Sequence, residues 1–142
     1  MADQDHASPR VLATQGISPP ASEDTLDLRV IAEFRQVGGP GDSDFVMMLI
    51  DGFIVEAGEQ LALAKDACAR LDGVALKAAA HSLRGSAATM GARRLGALCS
   101  QMESHAAGAL DVKVAPALMD DIDREHTKVR DALEAERHGG SQ

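Results

Sequence analysis

SDFVMMLIDGFIVEAGEQLALAKDACARL, residues 43–71, places Val46, Leu49, Ile50, Phe53, Ala57, Leu61, Ala64, Cys68 and Leu71 three and four residues apart. That interval keeps every one of them on a single face of a helix, and it is incompatible with the strict alternation of a half-buried strand. The spacing predicts one long helix starting at Asp42 or Ser43 and reaching about Leu71. Its most apolar run, FVMMLIDGFIV (45–55), is interrupted by Asp51 and is too short to span a bilayer.

The same reading extends in both directions. Upstream, Gly38-Gly39-Pro40-Gly41 breaks the chain. It lacks the Gly-Lys-Ser/Thr that enters a helix in a phosphate-binding loop, so it reads as a helix-to-helix turn. A short helix precedes it at about 27–37, with Asp27 as N-cap and Leu26 and Ile31 spaced as a hydrophobic staple. Residues 1–24 are polar, contain Pro9, Pro19 and Pro20, and are expected to form a disordered leader without the apolar core of a signal peptide. Downstream, Asp72-Gly73 marks a break. Asp72 is placed to cap a third helix through Met90, which Gly91 ends.

A fourth helix is expected at about 92–107, buried through Leu95, Leu98, Cys99 and Met102. Gly108 and Asp111 separate it from a fifth at about 113–137, buried through Leu118, Ile122, Val129 and Leu133. Pro116 is tolerated there because it falls in the first turn. Gly139-Gly140 stops this helix, leaving 139–142 as an expected disordered tail. Long amphipathic helices joined by short turns pack antiparallel. The expected fold is therefore all-α, an antiparallel four-helix bundle over 25–138 with a short N-terminal capping helix.

Composition narrows the function. The chain of 142 residues has 14 Lys and Arg against 22 Asp and Glu, a formal charge of −8, with no Trp, no Tyr and three Phe. Such a surface suits neither a phosphate backbone nor base stacking, so nucleic acid is not an expected partner, and neither is a membrane. Cys68 and Cys99 both fall in apolar helical surroundings and read as reduced core thiols of a cytoplasmic protein.

The third helix carries the chemistry. Its apolar stripe is Leu76, Ala80, Leu83, Ala87 and Met90, and His81 stands about 100° off it. On the face of His81 lie Lys77, Ala78, Arg84, Gly85 and Ala88. An interior helical glycine costs about 1 kcal/mol relative to alanine, so Gly85 needs a reason. Together with Ala78 and Ala88 it clears space around an imidazole, while Lys77 and Arg84 bracket that space with two cations. A histidine with an ordinary pKa of about 6.5 is mostly a neutral nucleophile at pH 7. The flanking cations favour that neutral form and would stabilise a phosphoryl group attached to it. Taken singly, each feature is ordinary: a surface histidine, and a glycine marking close helix packing. Their conjunction points to anion chemistry.

AHSLRGSAATMGARRLGALCSQME, residues 80–103, closely resembles the signature of histidine-containing phosphotransfer (HPt) domains, and the likeness extends more loosely over about 25–135. The resemblance implies a helical bundle without kinase activity of its own. Such a domain accepts a phosphoryl group on one histidine from a receiver-domain aspartate and passes it to another receiver. His81 matches the phosphorylated residue, Arg84 the lysine that usually neutralises it, and Gly85 the glycine that exposes the ring. Cys99, as a core residue, and Glu103 match positions of the following helix. Arg84 for Lys, Thr89 for a common Asn and Met90 for a common Leu are departures that bear on partner choice. The implied partners are receiver domains of a hybrid sensor kinase and of a downstream regulator. The chain is expected to carry no cofactor, with Mg²⁺ held by the receiver.

Two other readings compete. Asp123-Arg-Glu-His126 is one half of the paired carboxylate–histidine motif of di-metal bundles, and a single half reads as a solvated helix face, so no metal site is expected. The small-residue patch around His81 also suits a phosphate-independent docking module. Ser82 and Ser86 adjoin the histidine and are expected to bond backbone carbonyls rather than to act in catalysis.

Overall fold

The structure, a computed structural model, describes residues 24–38 and 43–139. It contains α1 (Leu28–Gly38), α2 (Ser43–Ala69), α3 (Gly73–Met90), α4 (Arg93–Ala106) and α5 (Val114–Gly139). No strand occurs among the described residues. Nearly all of the expected leader, the turn at 39–42 and residues 140–142 lie outside the described residues. Helix α5 itself runs one residue into the stretch expected as tail.

Local chemistry sets the helix ends. Asp27 Oδ1 accepts the Arg29 amide at 3.0 Å and opens α1. Asp72 Oδ1 accepts the Ala75 amide at 3.1 Å and opens α3. Gly91 closes α3 with φ +74°, a conformation glycine adopts freely. Its lack of a side chain matters as much, since a Cβ there would stand 2.8 Å from Val30 and 3.1 Å from Asp27. The amide of Asp27 donates to the Gly91 carbonyl at 3.0 Å, so α1 is laid across the α3–α4 turn. At the other end of the bundle His105 Nε2 accepts the Asp111 amide at 3.1 Å, and Asp111 Oδ1 accepts the amides of Lys113 and Val114, which turns the chain into α5.

The helices bury one continuous core that includes Ile31, Ile50, Leu76, Leu83, Leu95, Met102, Ile122 and Leu133. Polar ties fix the antiparallel register of α2 and α5: Lys65 pairs with Asp123 at 3.1 Å and Arg137 pairs with Asp51. Arg35 reaches from α1 to Glu136 near the end of α5. The capped four-helix bundle expected from sequence is the observed fold.

Three details differ from the sequence reading. Leu71 is not part of the α2 stripe: the helix ends at Ala69, and Leu71 adopts φ +56° in the turn with about half its surface exposed. Leu49, Leu98 and Leu118 are half-buried rather than central. The Asp123–His126 segment is not a solvated face: Glu125 is 3% exposed and His126 5%. His126 follows Ile122 by four residues and precedes Val129 by three, which puts it on the stripe that α5 turns inward. Among the described residues no group of three or more His, Cys, Asp or Glu is placed to hold a metal ion.

Candidate functional site

Helix α3 buries Leu76, Ala80, Leu83, Ala87 and Met90 and thereby turns His81 outward, with 64% of its side chain exposed. The α3–α4 hairpin turns tightly at Gly91-Ala92, and Glu103 lies as far beyond Ala92 as His81 lies before it. An antiparallel hairpin brings two such positions level. Met102 is buried, so its neighbour Glu103 sits at the margin of α4 facing α3.

Glu103 binds both His81 and Arg84 of α3 with one carboxylate. Oε2 lies 2.8 Å from His81 Nδ1, and Oε1 accepts from Arg84 Nε at 2.9 Å. These contacts, the one to His81 first, hold the Glu103 carboxyl below the usual carboxylate range despite the opposing effect of partial burial. An ionised carboxylate can only accept, so the hydrogen in the short contact to His81 belongs to the ring. In the neutral imidazole, Nδ1 is then the protonated nitrogen and Nε2 carries the lone pair. Arg84 Nη2 stands 3.1 Å from the same Nδ1. With both groups protonated this is a close approach that sets the guanidinium beside the ring, not a hydrogen bond.

The other sequence-selected residues are placed as follows. Gly85 is exposed, and a Cβ on it would meet nothing within 4 Å, so close helix packing does not account for the glycine. Ala78, Ala88 and Lys77 are exposed on the same helix. Lys77 and Ala78 line a hollow shared with His81 and Glu103, whereas Ala88 lines neither hollow beside the histidine. Ser82 and Ser86 make no side-chain hydrogen bond among the described residues, contrary to expectation, and line a second hollow facing α2; Thr89 Oγ1 does bond back to the Gly85 carbonyl, at 3.1 Å. Cys99 is fully buried, and burial pushes its thiol up to about 12, which keeps it unreactive. Sequence reasoning had matched Glu103 to a family position without giving it a contact; its equal distance from the α3–α4 turn was the available signal.

A family model for the Hpt domain matches residues 48–138. The chain belongs to the Hpt-domain family. The crystal structure of histidine-containing phosphotransfer protein B (HptB) from Pseudomonas aeruginosa PAO1 superposes with a TM-score of 0.73 at 32% identity, covering 82% of this chain and 97% of that one. No curated protein matches. As an Hpt-domain protein, the chain has a histidine phosphotransfer role in two-component phosphorelays, in which domains of this family act as phosphocarriers and interact with receiver domains. No described helix is long and apolar enough to cross a membrane.

Proposed function

We propose that His81 is the phosphoryl acceptor of this Hpt domain, taking the group from a receiver-domain aspartyl phosphate and returning it to the aspartate of another receiver. The observation that supports this reading most directly is the contact of Glu103 with Nδ1, which leaves Nε2 as the nucleophilic nitrogen on an exposed ring. In the step, the Nε2 lone pair forms the N–P bond while the P–O bond of the acyl phosphate breaks, and the released electron pair returns to the receiver aspartate as its carboxylate. The ring then carries a phosphoryl group on Nε2 and a proton on Nδ1. Glu103 faces that proton and balances the positive charge that develops on the ring. Reversal needs no other group, as a relay requires.

Arg84, held beside the ring by Glu103, is assigned the stabilisation of the phosphoryl oxygens. Lys77 is assigned the same role from one turn earlier; it has no ion-pair or hydrogen-bond partner among the described residues. Ala78, Gly85 and Ala88 leave α3 low enough for a receiver to approach. The chain brings a positioned nucleophile and its electrostatics, with no kinase activity and no cofactor of its own, Mg²⁺ being supplied by the receiver. The proposed partners are the receiver of a hybrid sensor kinase and that of a downstream regulator, in the cytoplasm.

The test is to incubate the protein with a panel of receiver domains carrying labelled phosphate. Acid-labile, alkali-stable label is expected on the wild-type protein and none on His81→Gln. Label persisting on His81→Gln refutes the assignment. Receiver binding without any transfer would instead favour a phosphate-independent docking module.

A further inference from the structure

Among the described residues Arg84 donates to one acceptor, from Nε to Glu103 Oε1 at 2.9 Å. Its Nη groups meet only the edge of the His81 ring, whose near nitrogen is itself protonated. We propose that this is a parked position: phosphorylation of His81 draws the Arg84 guanidinium off Glu103 and onto the phosphoryl oxygens, so that the carboxylate and the phosphoryl group compete for one cation. This rests on the assignment of His81 given above and adds how the site limits its own hold on the group it carries.

The geometry points to a move. Nδ1 is the nitrogen that faces both Glu103, at 2.8 Å, and Arg84 Nη2, at 3.1 Å. The two ring nitrogens point apart, so a phosphoryl group on Nε2 extends away from the nitrogen beside which Arg84 is held. A guanidinium is a rigid plane whose donors are spaced to grip two oxygens at once. Turning that fork to the phosphoryl oxygens takes Nε off Glu103. Nothing else restrains it: the Arg84 side chain is 42% exposed and bonds no other acceptor among the described residues. Rotamer changes of exposed side chains are far faster than transfer between two proteins.

The exchange keeps every charge paired. Before transfer the ring is neutral and Glu103 is balanced by Arg84. After transfer the ring holds both the phosphoryl group on Nε2 and the proton on Nδ1, and positive charge appears beside Glu103 Oε2. Glu103 therefore trades a guanidinium for an imidazolium, and Arg84 trades a carboxylate for a phosphoryl group of roughly twice the charge. Of the two side-chain contacts that hold the Glu103 carboxyl below its ordinary range, the one to His81 outweighs the one to Arg84, so the carboxylate stays ionised when Arg84 leaves. A cation bound to nothing beforehand would favour the phosphorylated state by the full strength of its new ion pair. Here the contact broken at Glu103 offsets part of that gain, which keeps the two states close and the group easy to pass on.

The test measures forward and reverse transfer with the receiver domain that labels the wild-type protein fastest, and takes the equilibrium constant from the two rates. Wild type, Glu103→Gln, Arg84→Ala and the double variant are compared, each with unchanged circular dichroism. Glu103→Gln removes the charge opposite the phosphorylated ring and also releases Arg84; in the Arg84→Ala background it does only the first. The shift away from phosphohistidine caused by Glu103→Gln is therefore expected to be smaller when Arg84 is present, by about threefold or more in the equilibrium constant. Equal shifts in the two backgrounds, or a larger one with Arg84 present, would overturn the proposal. NMR of the arginine Nε–H groups gives a second readout. The Arg84 signal should differ between wild type and Glu103→Gln before phosphorylation and coincide after it. A wild-type signal that stays in place on phosphorylation would overturn the exchange while leaving the His81 assignment intact. If His81 takes no label at all, it is that assignment that fails, and the exchange falls with it.

Discussion

Two histidines on this bundle occupy opposite environments. The side chain of His81 on α3 is 64% exposed, with Nδ1 engaged by a carboxylate. His126 on α5 is 5% exposed, and its Nε2 is buried without a hydrogen-bond partner. Burial pushes the His126 pKa down, assisted by Arg130 and Lys65 and opposed by Asp123. Only the ring of His81 is open to a second protein. What distinguishes His81, the proposed acceptor, is a nitrogen anchored by a carboxylate on a ring that is otherwise exposed.

The sharpest way to break this contrast is to exchange the roles. His81→Gln should abolish phosphoryl acceptance altogether, whereas His126→Gln should retain it, as autoradiography after incubation with a phosphorylated receiver would show. Loss of labelling in a folded His126→Gln protein would place the chemistry on the wrong ring.

The next largest effect is expected at the anchor. Glu103→Gln removes the carboxylate that fixes the tautomer, and single-turnover transfer should slow by about 10- to 100-fold, by analogy with the loss seen when the partner orienting a metal-bound imidazole is removed. Arg84→Ala should slow transfer roughly fivefold with circular dichroism unchanged, because it takes away one cation but leaves the Glu103–His81 contact.

The buried ring should reveal itself through stability rather than rate. Its folded pKa lies below the unfolded value of about 6.5, so above that pH neither state binds a proton at this site and the ring contributes nothing to pH dependence. As pH falls below the unfolded value, the unfolded chain takes up the proton first and stability drops. The melting temperature should therefore fall between pH 7 and pH 5, and His126→Leu should flatten that slope. The lowered carboxylates of Asp72, Glu103 and Asp111 act in a separate window, since their contribution is present above the unfolded carboxyl pKa and lost at more acidic pH. A smaller change lies remote from both rings. Leu71 adopts a left-handed conformation while half-exposed, so Leu71→Gly should stabilise the fold by roughly 0.5 kcal/mol in urea titrations without altering transfer.

What sequence disclosed of these regions follows from which interactions are local. Asp72 and Gly91 bound α3 because an N-cap carboxylate and a left-handed terminal glycine act within a few residues of chain. The His81 face was legible for the same reason, as Arg84 and Gly85 are helical neighbours of the ring. Leu71 was assigned to the α2 core because its spacing continues the stripe, and no glycine or proline marks the actual end at Ala69. His126 looked solvated because its sequence neighbours are charged, although its position between Ile122 and Val129 already placed it inward. The Glu103 contact depends on the register of two helices, and the hollow lined by Ser82 and Ser86 on the way α2 lies against α3. Those are tertiary facts that composition and periodicity do not encode.

The central claim is that Nε2 of His81, and not its other nitrogen or another residue, receives the phosphoryl group. Long-range 1H–15N NMR of the protein labelled at its histidines, recorded before and after transfer from a receiver, tests it directly. The account predicts His81 protonated at Nδ1 before transfer and phosphorus coupled to Nε2 of His81 after it, with His126 unchanged. Phosphorus bound at Nδ1, or any phosphorylated residue other than His81, would contradict it.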